Sequence, residues 1–240
     1  MALRAGGPWR AAWEDPLGLS AEHRAGIDAI QTASRDLVRM DLLELHGGNI
    51  SVRADDGHML ITKHHVNKSV PSPDDIVRTS LEEDDEFTNM ASSAWLVHRE
   101  IYRRSDAQAI IHAHGQLTVT LSFFYDEVEP IDENGIMILG RNVPVVAAPK
   151  LIGWNLAAEP IGDALADNKV VIEKWHGTFA KGVDLVDALH KTRSMEFSAG
   201  QIIRVAQLRD VMPNAPKFPP TEVAEWLGGV HRPGIRRNIL

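Results

Sequence analysis

The 240-residue sequence predicts an α/β domain in which a mixed sheet is flanked by helices. Two observations carry this expectation. Segments with helical spacing of apolar residues alternate with short apolar or alternating runs, and at least two connections between short runs are hairpin-like, which a simple doubly wound parallel sheet does not contain. Composition agrees: 44% hydrophobic and 24% charged residues supply a sizeable core, and the length suits one domain with arms.

The elements follow in order. Residues 1–19 hold Gly6, Gly7, Pro8, Pro16 and Gly18 with little periodicity and read as an N-terminal arm. Ser20 can cap a helix whose apolar positions Ile27, Ile30, Leu37, Met40 and Leu43 repeat at helical spacing, predicting helix to about Leu45, where Gly47 and Gly48 break it. Asn49–Arg53, a turn at Asp55-Asp56-Gly57, and His58–Thr62 form a hairpin signal. Asp74–Arg78 is a connector or strand, and the acidic run Glu82–Glu86 reads as a solvated loop. A helix is expected from Ser92 to about Arg104, a buried strand over Ala109–His114, helix over Thr118–Phe124, strand over Val143–Ala148 and helix over Asn155–Asn168. Lys169–Glu173 is a second buried strand, Gly177–Lys181 returns beside it, and Asp184 to about Leu208 is a long closing helix. The body therefore spans 20–210, and 211–240, with Pro213, Pro216, Pro219, Pro220 and Pro233 and several Arg, reads as a C-terminal arm. Trp154 and Trp226 read as core or interface anchors.

Charge and composition exclude several classes. With 25 Lys+Arg against 33 Asp+Glu the net charge is −8, which argues against a nucleic-acid binder working through broad basic patches. No apolar run approaches the roughly 20 residues of a membrane-spanning helix, and the first residues lack a signal-peptide core, so a cytoplasmic protein is expected. The Asn49-Ile50-Ser51 sequon is then coincidental. Zero cysteines remove disulfides, thiolate metal sites and cysteine nucleophiles, leaving His, Asp and Glu for chemistry.

His112-Ala113-His114 lies on a predicted strand, where side chains alternate faces, so the two imidazoles project from one side about 6–7 Å apart. Such a pair can chelate one metal, and imidazole suits zinc and its first-row neighbours; it can equally be structural or surface-bound. His176, ending the next strongly apolar strand and followed by Gly177, is the natural candidate for a third ligand. His98 reads as a packed or hydrogen-bonded core residue, and His23, His46, His58, His190 and His231 as structural or surface residues.

The ordered set Gly48-Asn49-Ile50-Ser51, Met59-Leu60-Ile61-Thr62, Ser92-Ser93-x-Trp95 with His98, Ala109-Ile110-Ile111-His112-Ala113-His114, Asn142-Val143-Pro144-Val145 and Trp175-His176-Gly177 resembles the class II aldolase/adducin family over about residues 25–205. That family includes fuculose-phosphate aldolases, ribulose-phosphate 4-epimerases and methylthioribulose-phosphate dehydratases. The resemblance implies a three-layer α/β/α subunit with a mostly antiparallel central sheet, commonly a homotetramer with sites between subunits. It also implies a divalent ion, zinc or another first-row metal such as Mn2+, Co2+ or Ni2+, held by His112, His114 and His176. Such an ion stabilises the enediolate formed when a C–C bond breaks or a proton leaves. The implied activity is that of a lyase acting on a small sugar, sugar phosphate or hydroxy-keto acid.

The sequence departs from the family pattern at two places. Aldolases of the family carry a Glu in Ser-Ser-Glu-Trp where this chain has Ala94, either as the natural residue or as a replacement, and alanine cannot transfer a proton. Glu133 falls where some relatives place a catalytic Tyr and near an acidic residue of the dehydratases and epimerases; it is the candidate general acid/base, with Asp132 second, and the plain alternative is two carboxylates on a solvated loop. The phosphate-binding donors Gly48, Asn49, Ser92 and Ser93 are present, but the usual Thr-Gly pair is replaced by His64-His65 after Lys63. Bulky rings fill phosphate space, whereas Lys63 and two imidazoles attract a carboxylate or phosphate; the balance leans towards a substrate without the usual phosphate. An epimerase, dehydratase or decarboxylase on the same metal platform is the enzymatic alternative, and a non-catalytic adducin-like interaction domain is the alternative from another class.

Overall fold

The computed structural model describes residues 20–54, 57–148 and 154–211, with the side chains of 154, 155 and 209–211 left aside. The expected arms, apart from Val211, the Asp55-Asp56 turn residues, the Trp154 side chain and Trp226 lie outside this description.

Helix α1 (Ala21–Arg39) starts where expected: the Ser20 hydroxyl accepts the His23 amide at 3.2 Å. It stops about six residues earlier than the periodicity predicts. Asp41 takes φ +58°, and the Asp41 and Leu42 amides fold back onto Val38 and Leu37 carbonyls at 3.1 and 2.9 Å. This is a Schellman closure in which Leu42 and Leu37 join the same buried cluster, so the apolar residues after Met40 belong to the cap and not to another turn.

Eight strands then form one sheet: β1 (Asn49–Arg53), β2 (His58–Thr62), β3 (Ile76–Ser80), β4 (Ala109–Ala113), β5 (Glu127–Val128), β6 (Val143–Val146), β7 (Val170–Glu173) and β8 (Gly177–Gly182). The order is β3-β2-β1-β4-β8-β7-β6-β5, and every pairing is antiparallel except β6 with β7. The mixed, mostly antiparallel sheet is thus as expected, and the β6–β7 crossover runs through α5 (Ala158–Asp167).

Strand alternation sorts the core into two layers. Met59, Ile61, Ile110, Val171 and Phe179 face α2 (Trp95–Arg104) and α5, whereas Leu60, Ile111, Val170 and Ala180 face α1, α3 (Gln116–Ser122), α4 (Glu133–Leu139) and α6 (Leu185–Val211). Three layers, helix on sheet on helix, result. The acidic run is better ordered than a plain solvated loop: Asp85 accepts from the Thr79 hydroxyl at 2.9 Å and the Ser80 amide at 2.7 Å, and Asp84 pairs with Arg99 at 2.8 Å. These bonds close the turn after edge strand β3. They also hold the Asp85 carboxyl below its ordinary value, against the opposing effect of burial.

Helix α4 is the one the periodicity missed. Its seven residues include Asn134-Gly135, a turn signal, and it forms because Asp132 caps it, accepting the Gly135 amide at 2.8 Å while Ser198 of α6 donates to the other carboxylate oxygen at 2.5 Å.

Candidate metal centre

Strand β4 pairs with β8 in the register His112↔Phe179 and Ala113↔Thr178, and β8 pairs with β7 across a tight turn, Glu173↔Gly177. The end of β4 and the β7–β8 turn therefore lie side by side. His112 and His114 project from one face by strand alternation, and His176 reaches the same point from the turn.

Each ring is oriented by a named contact. His112 Nδ1 lies 3.0 Å from the Thr178 carbonyl oxygen; a carbonyl only accepts, so Nδ1 carries the proton and Nε2 presents a lone pair. His176 Nδ1 donates to the buried Glu173 carboxylate at 2.6 Å, freeing its Nε2 in the same way. Phe179 stacks on His112 with centroids 4.1 Å apart and planes 12° from parallel. His114 sits between two glycines: a Cβ on Gly47 would stand 2.8 Å from its Nδ1, and one on Gly177 2.9 Å from its Cδ2. The turn carries strain, since Trp175 adopts φ +66°, with its amide donating to the Ser122 hydroxyl at 2.8 Å.

The three potential ligand nitrogens lie within 4.8 Å of one another, and His112 Nε2 and His114 Nε2 are 3.2 Å apart. Two nitrogens about 2.0–2.1 Å from a shared ion in near-tetrahedral geometry stand roughly 3.3 Å apart, so the pair fits a zinc-sized cation. Burial, reinforced by the neighbouring imidazoles, pushes His112 well below its ordinary pKa, and burial, His176 and Lys68 push His114 down to about 4. Both rings are therefore neutral at neutral pH, the state a metal requires. His112 is buried while His114 and His176 are half-buried, which leaves the centre open on one side.

The loops around this centre converge. Gly48 takes φ +70°, and a Cβ there would stand 2.7 Å from the His112 carbonyl oxygen. Asn49 pairs with His112 across β1–β4 and is buried, with Oδ1 lacking a hydrogen-bond partner. The Thr62 hydroxyl accepts the Ile50 amide, Lys63 bridges to Ala91, and the Ser92 amide donates to the Thr62 carbonyl at 3.0 Å. Gly48, Asn49, Lys63, Ser92 and Ser93 thus gather at neighbouring strand ends. His64 and His65 are exposed, their rings 3.7 Å apart, with His65 at φ +56°.

Glu133 stands exposed in the first turn of α4, and no contact joins it to the three imidazoles within one chain among the described residues. The solvated-loop alternative is corrected in one respect: the two carboxylates begin a helix, and Asp132 is its cap. Ala94 is the N-cap position of α2 and is buried in the core. One turn on, His98 is the packed, hydrogen-bonded residue expected: Nδ1 lies 2.7 Å from the Ser51 hydroxyl, which lies 2.8 Å from the Tyr102 hydroxyl, and burial pushes the imidazole down to about 3.

Two residues escaped the sequence reading. Glu173 had a signal, a carboxylate three residues before His176 at a strand end. Lys68, buried with Nζ donating to the His46 carbonyl at 2.7 Å, had none, since an isolated lysine in a loop reads as exposed.

The family described as Class II Aldolase and Adducin N-terminal domain matches residues 28–203. An L-fuculose phosphate aldolase from Escherichia coli is 27% identical over 179 residues, 74% of this chain and 82% of that one. An enzyme of the same name from Methanocaldococcus jannaschii is 31% identical over 154 residues, 64% of this chain and 82% of that one. Among solved structures, L-fuculose-1-phosphate aldolase from Thermus thermophilus superposes with a TM-score of 0.70 at 33% identity, covering 78% of this chain and 98% of that one. A three-layer fold, a histidine cluster at the end of β4 and a match over residues 28–203 agree with one another: the chain belongs to the class II aldolase and adducin family.

Proposed function

We propose that this chain is a divalent-metal-dependent lyase that breaks or forms a C–C bond beside a carbonyl in a small sugar, sugar phosphate or hydroxy-keto acid. The observation that carries the reading is the convergence of three imidazoles, His112, His114 and His176, with ligand nitrogens within 4.8 Å. They would hold zinc, or manganese, cobalt or nickel. Such an ion supplies a Lewis acid that stabilises negative charge developing beside the substrate carbonyl.

The chain's own residues do the rest. Glu173 and Thr178 lock two ring tautomers so that their Nε2 atoms converge without reorganisation. Gly48, Asn49, Lys63, Ser92 and Ser93 orient the substrate from the adjoining loops. Glu133 moves the proton, reaching the centre from a neighbouring subunit of a homotetramer. In support, Phe123, Phe124, Tyr125 and Trp175 are exposed next to the His176 turn, an apolar surface of the kind that subunits cover.

Ala94 favours a second reading. Without a carboxylate there, the same platform serves an epimerase, dehydratase or decarboxylase, and a methylthioribulose-1-phosphate dehydratase from a Sulfurihydrogenibium strain is 23% identical over 189 residues. A non-catalytic interaction domain has no need of a preoriented chelating triad.

The test is metal content per chain, for wild type and His112→Ala, followed by product analysis with L-fuculose 1-phosphate and 5-methylthioribulose 1-phosphate. One divalent ion per chain, lost in the variant, together with an aldehyde and a ketone fragment, is expected. A dehydrated or epimerised product would move the assignment to the second reading, as would carbon dioxide released from a hydroxy-keto acid tested alongside, and no metal in either protein would overturn both.

A further inference from the structure

The β7–β8 turn holds its strain at the residue beside a metal ligand. The His176 amide donates to the Glu173 carbonyl at 3.1 Å, closing a four-residue turn whose third residue is Trp175 at φ +66°. A third residue of positive φ is ordinarily Gly or Asn, because a larger side chain brings its Cβ against the following carbonyl oxygen. An indole-bearing residue keeps that conformation only where its surroundings enforce it.

Ser122 does so here. The Trp175 amide donates to the Ser122 hydroxyl at 2.8 Å, and that hydroxyl, fully buried, gives its own proton to the Val119 carbonyl at 2.7 Å, which leaves its lone pairs for the amide. A turn exchanges negative for positive φ at its third residue by flipping the peptide that joins its second and third residues, here Lys174 and Trp175, and the flip reverses the direction of the Trp175 N–H. The Ser122 bond therefore acts on a group whose direction distinguishes the two states. Lys174 is held by other contacts, its amide on the Val146 carbonyl at 2.8 Å and its ammonium on Asp126 at 2.5 Å. Helix α3 gives Ser122 a fixed place: it starts two residues after His114, its Leu117 and Thr118 amides donate to the buried Glu196 carboxylate at 2.9 and 3.0 Å, and it ends at Ser122. A short helix anchored beside one ligand thus ends on the turn that carries another.

We infer that Ser122 is a positioning residue for His176, holding the strained Trp175 peptide in the state that aims the imidazole at the other two. This rests on the metal-dependent reading above and adds to it a residue that touches none of the three rings. A left-handed residue lets the chain reversal follow the right-handed twist of β7 and β8, whereas a turn of negative φ throughout splays the two strands. His176 stands between the turn and Gly177, the first residue of β8, so splaying swings its ring off Glu173 and away from His112 and His114.

The competing role is a staple that merely secures the end of α3. A double-mutant cycle on the full chain separates the two, using Ser122→Ala, Trp175→Gly and the double variant. Glycine adopts positive φ without steric cost, so it makes the turn independent of Ser122, and the loss of the indole is common to both members of the glycine pair. Positioning predicts that Ser122→Ala weakens zinc binding about 10-fold, read by competition with a chromogenic chelator, and that the same change in the Trp175→Gly background costs less than about twofold. In metal-free protein, nitrogen-15 spectra should show the Nδ1-protonated tautomer of His176 giving way to a mixture in Ser122→Ala and recovered in the double variant. Equal losses in both backgrounds would overturn the inference, as would a lowered melting temperature in Ser122→Ala with zinc affinity and tautomer unchanged. Because the spectra need no metal, failure of wild type to take up zinc would count against the metal-dependent reading and leave the tautomer to decide this one.

Discussion

Replacing Glu173 by Gln should weaken metal binding without dismantling the fold. In the structure its carboxylate takes the Nδ1 proton of His176 at 2.6 Å from a buried position, which pins the tautomer, aims Nε2 at the other two imidazoles and makes the ring a better donor. Glutamine retains an acceptor oxygen but no charge, so the ring stays in place while its basicity falls. Loss of such a partner costs about 10- to 100-fold in metal affinity, or about 1.4–2.7 kcal/mol. The short, charge-assisted bond in a low-dielectric setting puts Glu173→Ala, which also frees the ring to rotate, at the upper end and Glu173→Gln at the lower. Zinc affinity would be read by competition with a chromogenic chelator at neutral pH, and nitrogen-15 spectra of the imidazoles would report whether Nδ1 of His176 carries the proton. Affinities of both variants within about twofold of wild type would refute the idea that the carboxylate tunes this ligand.

Other expectations follow from the same geometry. Gly177→Ala would drive a Cβ into the Ala113 carbonyl and to within 3.1 Å of His112 Cε1; about 1–3 kcal/mol of stability should go, with metal content falling in step, as thermal denaturation and elemental analysis would show. Glu133→Gln should slow turnover by about 10²–10⁴ at unchanged stability, and a rate near wild type would remove it from the mechanism. Asp132→Ala should instead cost about 1–2 kcal/mol through the lost α4 cap and the Ser198 bond, with metal content intact. The fully buried His98, held down to about 3, binds a proton far more readily in the unfolded chain, whose value is 6.5. Stability from this group is therefore complete above pH 6.5 and is lost as pH falls towards 3, by roughly 3–5 kcal/mol over that window. Denaturant titrations of wild type and His98→Gln at several pH values would check it, the variant showing the flatter acid limb.

Much of the architecture was legible locally. Ser20 and the 3.6-residue spacing located the start of α1, period-2 alternation located β1 and β2, and apolar runs located β4 and β7. Where local reading went astray, a tertiary interaction had overruled it. Leu42 and Leu43 continue a helical pattern yet serve the cap and core after Asp41 turns the chain, and α4 exists because Ser198 and the Gly135 amide share the Asp132 carboxylate.

The candidate site divides in the same way. The sequence by itself determined that His112 and His114 share a face, because strand side chains repeat every second residue, and that no thiolate competes for a metal. The sequence also offered His176 as the third member; only the tertiary structure showed how the β7–β8 turn brings it to the other two, that Glu173 and Thr178 orient two of the rings, and that Lys68 is buried. The physical reason is range: periodicity and capping act over a few neighbouring residues, whereas the centre is assembled by the β4–β8 register and by loop-to-loop hydrogen bonds between segments far apart in the chain.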